Sequence, residues 1–350
     1  MKPIVSILAI VLLLASSTSF AAPPEEVTVL YTGGIRGQLY AITTCGETME
    51  SYGGLPRLST MIEAMKPLFV NPIVLLDGGN FVPDSRQDVE FKADVTMSGL
   101  KAMGYDAVGI GTSDLRFNAD KLKSIYNTHA MPMLASNLVE KETGAHYGKP
   151  YVLVKSGNLS LAVLCIIPED GLTQYNSTSA RKTLDVLSPT SAVSDILKEL
   201  EGKADITILF ADLNMADTRA LVSGLPDLDI AISNEIVTDG EGLDPGHTHP
   251  YVLPMGLGNM SLGRLTLQVN EDGGITVVES ELTALDDVVP SDETMNALIY
   301  EAHQAKFKQE KKERKLQEVV KFGEQSEEIQ ELQKLSPMEY LNRITQQNDE

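Results

Sequence analysis

The chain has 350 residues, 43% hydrophobic and 22% charged, with a net charge of −21 at neutral pH and a pI near 4.6. That is enough apolar chain for one large or two ordinary domains, and too apolar for a disordered one. The acidity argues against a nucleic-acid partner, whose phosphates it would repel, and means that a small anionic ligand needs a local cationic centre, either a metal or an arginine.

Lys2 precedes an apolar run over residues 4–15, and Ser19-Phe20-Ala21 supplies small residues where a signal peptidase would cut. The run is short for a membrane span, and no cysteine follows it as a lipid anchor would require. We therefore expect a signal peptide over residues 1–21, a globular domain over 22–290, a charged helical tail over 291–350, and a periplasmic or secreted protein.

In chain order, residues 27–31 read as a short strand ending in the turn Thr32-Gly33-Gly34-Ile35-Arg36-Gly37. Gly53-Gly54-Leu55-Pro56-Arg57-Leu58 opens a helix in which Leu58, Ile62 and Met65 keep helical spacing. Residues 72–76 form the next strand, ending in Asp77-Gly78-Gly79-Asn80, and Phe91, Val95, Leu100 and Met103 mark another helix. A strand through Val108 then delivers Gly111-Thr112-Ser113-Asp114 to the start of a helix. A helix over 118–126 and a strand over 132–135 complete a βαβα rhythm that argues for a parallel sheet.

Two strands meet at Ser156-Gly157-Asn158 as a hairpin, after which the pattern predicts helices over 194–200 and 215–223 and strands over 205–210 and 228–232. Residues 251–285 read as a purely β meander. The whole predicts an α/β fold of two packed mixed β-sheets flanked by helices, an αββα sandwich. In the tail, Met295, Leu298, Ala302 and Ala305 suit a docked helix, Gly323 is expected to interrupt it, and Ser336-Pro337 suits the start of a last helix. Glu310 and Arg314 suit an i, i+4 pair.

Cys165 reads as a buried thiol inside an apolar run, while an exported chain also permits a bridge between it and Cys45. Of five histidines, His129, His146 and His303 read as surface residues. Asp77, Asn137 and Arg57 read as residues that hold turns and helix ends together.

The strand-end stretches, in order, resemble the metallophosphatase domain of secreted 5′-nucleotidases, in the calcineurin-like phosphoesterase superfamily. Residues 32–39 are similar to that family's TNDxHGxL, 53–58 to GGxARL, 75–80 to LLDAGD and 104–116 to GYDAxxxGNHEFD. Residues 205–212 fall where the family has a strand ending in SH, and 229–237 where it has DxIxGGHxH. The resemblance covers roughly residues 27–285, and we expect the family's separate C-terminal nucleotide-binding domain to have no room here. It implies the αββα fold and a site at the strand ends, where such hydrolases hold two metal ions about 3.5–4 Å apart to activate water and clamp phosphoryl oxygens.

The letters at those positions differ. The resemblance sets Gly34 and Arg36 in place of an Asp and a His, and Asn80 in place of an Asp. Thr112 and Ser113 replace an Asn and a His; Asp212 stands where another His is expected; Glu235 and Val237 replace the last pair. We expect a relic pocket of Gly34, Arg36, Asn80, Thr112, Ser113, Asp114, Asp212 and Glu235, with no cofactor and no metal. Arg36 is expected to pair with Asp114, Asp212 or Glu235, or to bind a small anion.

The resulting expectation is a catalytically inactive binding or scaffold protein, its helical tail suited to an envelope partner. The alternative is a divergent metal-dependent phosphoesterase using manganese or zinc. Its only metal candidates are His247 and His249, in Gly246-His247-Thr248-His249, which resembles the family's GHTH but follows a loop.

Overall fold

The computed structural model describes residues 25–43, 50–174, 179–237, 249–256, 258–336 and 339. The strands of its two large sheets are β1 (Glu25–Thr32), β2 (Val74–Asp77), β3 (Ala107–Gly109), β4 (Met133–Leu134), β5 (Val152–Ser156), β6 (Leu159–Ile166), β7 (Ile206–Ala211), β8 (Ile230–Ser233), β9 (Tyr251–Pro254), β10 (Ser261–Val269) and β11 (Ile275–Ala284). The longer helices are α1 (Leu55–Met65), α2 (Val89–Met103), α3 (Ala119–Thr128), α4 (Pro189–Leu200), α5 (Met215–Val222) and α6 (Glu293–Lys334).

The first sheet runs β11-β10-β1-β2-β3-β4 and the second β9-β8-β7-β6-β5. Strands β1 to β4 are mutually parallel, as are β6 to β9, so each sheet has one edge made of strand carboxyl ends. Period-2 patterning decides which side chains go where. Val27, Val29 and Tyr31 of β1 meet Val163, Cys165, Ile208, Phe210 and Ile232 in the core between the sheets. Leu30, on the opposite face of β1, packs under α1 and α2 with Leu58, Ile62, Met97 and Leu100. Leu209 and Ala211 of β7 pack against Val193, Ile196 and Leu197 of α4 and Val222 of α5. Each such fully buried aliphatic side chain contributes about 1.5–3 kcal/mol, and together they hold an α/β/β/α stack.

Most elements lie where periodicity placed them, including the hairpin at Gly157 between β5 and β6. Asn118 is the cap of α3, its side chain accepting from Lys121 N at 2.8 Å. Two short antiparallel pairs were not legible: Ile42–Thr43 with Ser51–Tyr52, and Leu138–Glu140 with Leu184–Val186. Strands of two or three residues are too short to show alternation.

Three expectations are corrected. Residues 251–285 are not one meander: β9 joins the second sheet parallel to β8, and the chain then crosses through the turn Gly258–Met260 to form the β10–β11 hairpin on the first. Tyr251 N donates to Asp229 O and Met255 N to Ser233 O, each at 2.9 Å, which ties both ends of β9 to its neighbour. Gly323 does not interrupt the tail, because α6 is continuous from Glu293 to Lys334. A lone helical glycine costs only about 1 kcal/mol relative to alanine. Finally, His129 is not a plain surface residue: it is largely buried, with Nε2 2.8 Å from Asp94 Oδ1.

Met295 and Ile299 are buried, and Leu298 and Ala302 half-buried, where α6 docks on α1 and α2. Cys165 is a buried free thiol, and Cys45 lies outside the described residues. Asp77, Asn137 and Arg57 hold turns as expected: Asn137 Nδ2 donates to Ile167 O, and Arg57 binds both the carbonyl and the hydroxyl of Ser51.

Candidate functional site

The carboxyl ends of β1, β2, β3, β7, β8 and β9 converge on one edge of the stack, where an α/β fold presents its loops. The turns after β1 and β2 pass very close to the second sheet. A Cβ on Gly33 would lie 1.9 Å from Met255 Sδ, and one on Gly78 would lie 2.5 Å from Met255 Cε and 2.7 Å from Phe210. The Met255 side chain, 4% exposed, therefore fills the space over both glycines.

Beneath this surface sit two carboxyl groups. Asp77 accepts from Thr32 Oγ1 at 2.7 Å and from Gly79 N at 2.8 Å, and burial lifts its pKa to about 6 against the pull of those donors. Asp114 lies in the 3-10 helix Thr112–Arg116. Its Oδ2 accepts from Gly111 N and Asn80 N, and its Oδ1 from Val82 N, at 2.7–2.9 Å. Burial still lifts its pKa to about 7, the three backbone donors recovering part of the cost of ionisation.

Asn80 is the centre of the edge. Its backbone is in the left-handed region, φ 60°, which asparagine tolerates better than most residues. Its Oδ1 accepts from Ser113 N at 2.8 Å, and its Nδ2 donates to Asp212 Oδ1 at 2.9 Å. Asp212 also accepts from Thr112 N at 2.6 Å and from Asn234 Nδ2 at 2.5 Å. The fold thus brings Asn80, Thr112, Ser113 and Asp212 into one hydrogen-bonded network, with Asp114 attached through the Asn80 backbone. Thr112 Oγ1 and Ser113 Oγ are buried with no hydrogen-bond partner among the described residues.

Glu235 stands apart from that network, accepting from Met215 N at 3.0 Å at the start of α5. Asn234 and Met255 were missed by sequence reasoning. Asn234 lies within the 229–237 stretch without having been singled out, Met255 carries no motif, and the convergence of β8 and β9 on this edge brings both in.

Arg36 corrects the sequence expectation. Its ion pair among the described residues is with Asp84, at 2.5 Å, rather than with Asp114, Asp212 or Glu235, whose oxygens accept the backbone and amide donors named above. Arg36 is also left-handed, φ 50°, and its backbone N donates to Asn80 O at 2.9 Å. It belongs to the wall of an adjoining open cleft of about 760 Å³, which Gly34 also lines.

Other walls of the cleft are Tyr40, Ile236 and Met260, with the charged or titratable groups Asp84, Lys92 and His303. His303 is exposed, as expected of a surface residue, and sets its ring near those of Tyr40 and Phe91. Among its described lining residues, two fixed cations, Arg36 and Lys92, stand against one carboxylate, Asp84, on a chain of net −21.

His249 lies at the opposite sheet edge. It precedes the amino end of β9, and its Nε2 is 3.1 Å from Asp229 Oδ1, just before β8 begins. His247 lies outside the described residues. No group of three or more His, Cys, Asp or Glu side chains placed to hold a metal occurs among the described residues. No helix among them is long and apolar enough to cross a membrane.

No protein-family model matches the chain. Protein UshA of Escherichia coli K12 is 25% identical over 251 residues, which is 66% of this chain and 44% of that protein, so the chain spans less than half the length of that relative. The 5′-nucleotidase precursor of Thermus thermophilus superposes with a TM-score of 0.71 at 12% identity, over 81% of this chain and 59% of that one. The calcineurin-like phosphoesterase YfkN of Bacillus subtilis gives 0.66 at 15% identity, over 81% of this chain and 98% of that structure. With its strand order, its four layers and its convergent strand-end turns, the chain has the metallophosphatase fold and is a relative of the 5′-nucleotidases.

Proposed function

We propose that this is an exported, catalytically silent relative of the nucleotidase metallophosphatase domain, acting as a binding or scaffold protein whose cleft at Arg36 takes a small anion. One observation carries the reading: four of the positions that the resemblance sets at metal ligands, Asn80, Thr112, Ser113 and Asp212, are bonded to one another. Asn80 and Asp212 would have to give up N–H donors to reach a cation, and the amide of Asn80 offers Asp212 its nitrogen rather than sharing an ion with it. The residues present do not suit a two-ion cage, which needs several imidazole and carboxylate ligands on separate loops. Met255 supports the same reading, since a thioether is a poor ligand for the hard divalent ions that assist phosphoryl transfer. For the anion, the support is the composition of the cleft, where Arg36, paired with Asp84, and Lys92 bring two fixed positive charges to one wall. Export rests on the amino-terminal pattern around residues 4–21.

The test is metal content after purification together with turnover of a generic phosphate ester with added manganese or zinc. We expect substoichiometric metal, no turnover above the blank, and binding of inorganic phosphate in the presence of chelator that is lost in Arg36→Gln. Stoichiometric metal with turnover abolished by His249→Ala would establish the divergent phosphoesterase instead.

A further inference from the structure

The carboxyl-terminal helix has a charge pattern that the domain does not use. Its docked part ends at Lys306, which pairs with Asp88 at 2.5 Å and lies over the Phe91 ring. From Phe307 to Glu318 every side chain is exposed, including the apolar Phe307 at 56% and Leu316 at 65%. The helix nevertheless continues to Lys334. At 1.5 Å per residue the helix beyond Lys306 is about 40 Å long.

Charge along that stretch is divided into two blocks. Residues 307–321 carry six Lys or Arg against three Glu, whereas residues 322–334 carry four Glu against one Lys. At their boundary the sequence gathers Leu316, Val319, Val320 and Phe322. A basic block, an apolar centre and an acidic block form a sequence complementary to itself when reversed. Laid antiparallel on a second copy, the basic block of each helix faces the acidic block of the other, and the apolar centres meet at the two-fold axis. That is the isologous geometry of the commonest dimers. Opposite charges along paired helices set partner and orientation in this way. A parallel arrangement would set like charges side by side.

We propose that two copies of this chain associate through residues 307–334 as an antiparallel helix pair centred near Val320. The occupant is a second copy rather than an anionic membrane, because a membrane would attract the basic block and repel the acidic one that continues it. Pairing does not depend on whether the strand-end pocket binds metal or the cleft binds anions.

The test is sedimentation equilibrium of the purified protein over a range of concentrations and two salt concentrations. We expect a monomer–dimer equilibrium weakened at least about tenfold at high salt, as solvent-exposed charge pairs are screened. Two charge-reversed variants complete it: Lys311→Glu/Lys312→Glu/Lys315→Glu, and Glu324→Lys/Glu327→Lys/Glu328→Lys. Each alone should be monomeric with unchanged circular dichroism, and an equimolar mixture of the two should form a heterodimer. A parent chain that stays monomeric at high micromolar concentration overturns the proposal, and co-sedimentation of that monomer with phosphatidylglycerol vesicles would assign the helix to a membrane. Variants that still dimerise alone, or a mixture that does not associate, overturn it equally.

Discussion

Asn80 and Asp212 lie 132 residues apart in sequence and share one hydrogen bond, from Nδ2 to Oδ1 at 2.9 Å, that ties the edge of the first sheet to the edge of the second. The bond needs an amide on one side and a carboxylate on the other. Asn80→Asp would replace a donor by a second negative charge. We expect a loss of about 3 kcal/mol at neutral pH in urea denaturation, from the broken bond and the like-charge contact. Because the new carboxyl would titrate upward beside Asp212, the loss should shrink on acidification. Manganese should recover part of it in the variant and have no effect on the parent.

Thr112 and Ser113 test the same edge from the other direction. A buried hydroxyl without a partner costs about 1–3 kcal/mol, and both have none among the described residues. Thr112→Val and Ser113→Ala should therefore leave stability unchanged or raise it by about 1 kcal/mol. A loss larger than that in thermal unfolding would mean that the hydroxyls hold something.

Met255 and Gly33 should be coupled. Gly33→Ala drives a methyl group into the thioether and should cost about 1–3 kcal/mol by overpacking. Met255→Ala leaves a cavity and should cost about 2–4 kcal/mol. The double variant should lose at least about 1 kcal/mol less than the sum, which a double-mutant cycle measures directly.

The buried acids predict a pH dependence with a definite sign. Burial raises Asp114 from 3.8 to about 7 and Asp77 to about 6, so the folded chain retains protons that the unfolded chain has released in that window. Their contribution is fully present below 3.8 and is lost as pH rises through the folded values. The unfolding free energy of the parent should therefore fall between pH 4 and pH 7 more steeply than that of Asp114→Asn.

Arg36→Gly separates the cleft from the fold. A non-glycine residue at φ 50° bears a strain of about 1–2 kcal/mol that glycine removes. The exposed ion pair with Asp84 that is lost with it contributes less than about 1 kcal/mol. Stability should stay within about 1 kcal/mol of the parent or rise, while phosphate binding measured by calorimetry disappears.

Much of the architecture was legible because burial has a period. Val27, Val29 and Tyr31 alternate with Leu30, and Leu58, Ile62 and Met65 follow helical spacing; these patterns report which face is apolar without any knowledge of what covers it. Glycine turns were legible for a similar reason, since Gly33 and Gly78 occur where no side chain fits. The path of residues 251–256 was not legible, because an apolar strand of four residues reads the same whether it pairs with β8 or β10.

The amino-acid sequence by itself determined the α/β rhythm, the αββα class, the resemblance to nucleotidase metallophosphatase domains and the residue types at each strand end, because all of these are local. Only the tertiary structure decided the partners: that Arg36 meets Asp84, that Asn80 donates to Asp212, that Met255 covers Gly33, and that His249 sits at the far edge. Hydrogen bonds and ion pairs act over about 3 Å, and contacts at that range between residues dozens of positions or more apart are set by how two sheets stack rather than by any pattern along the chain.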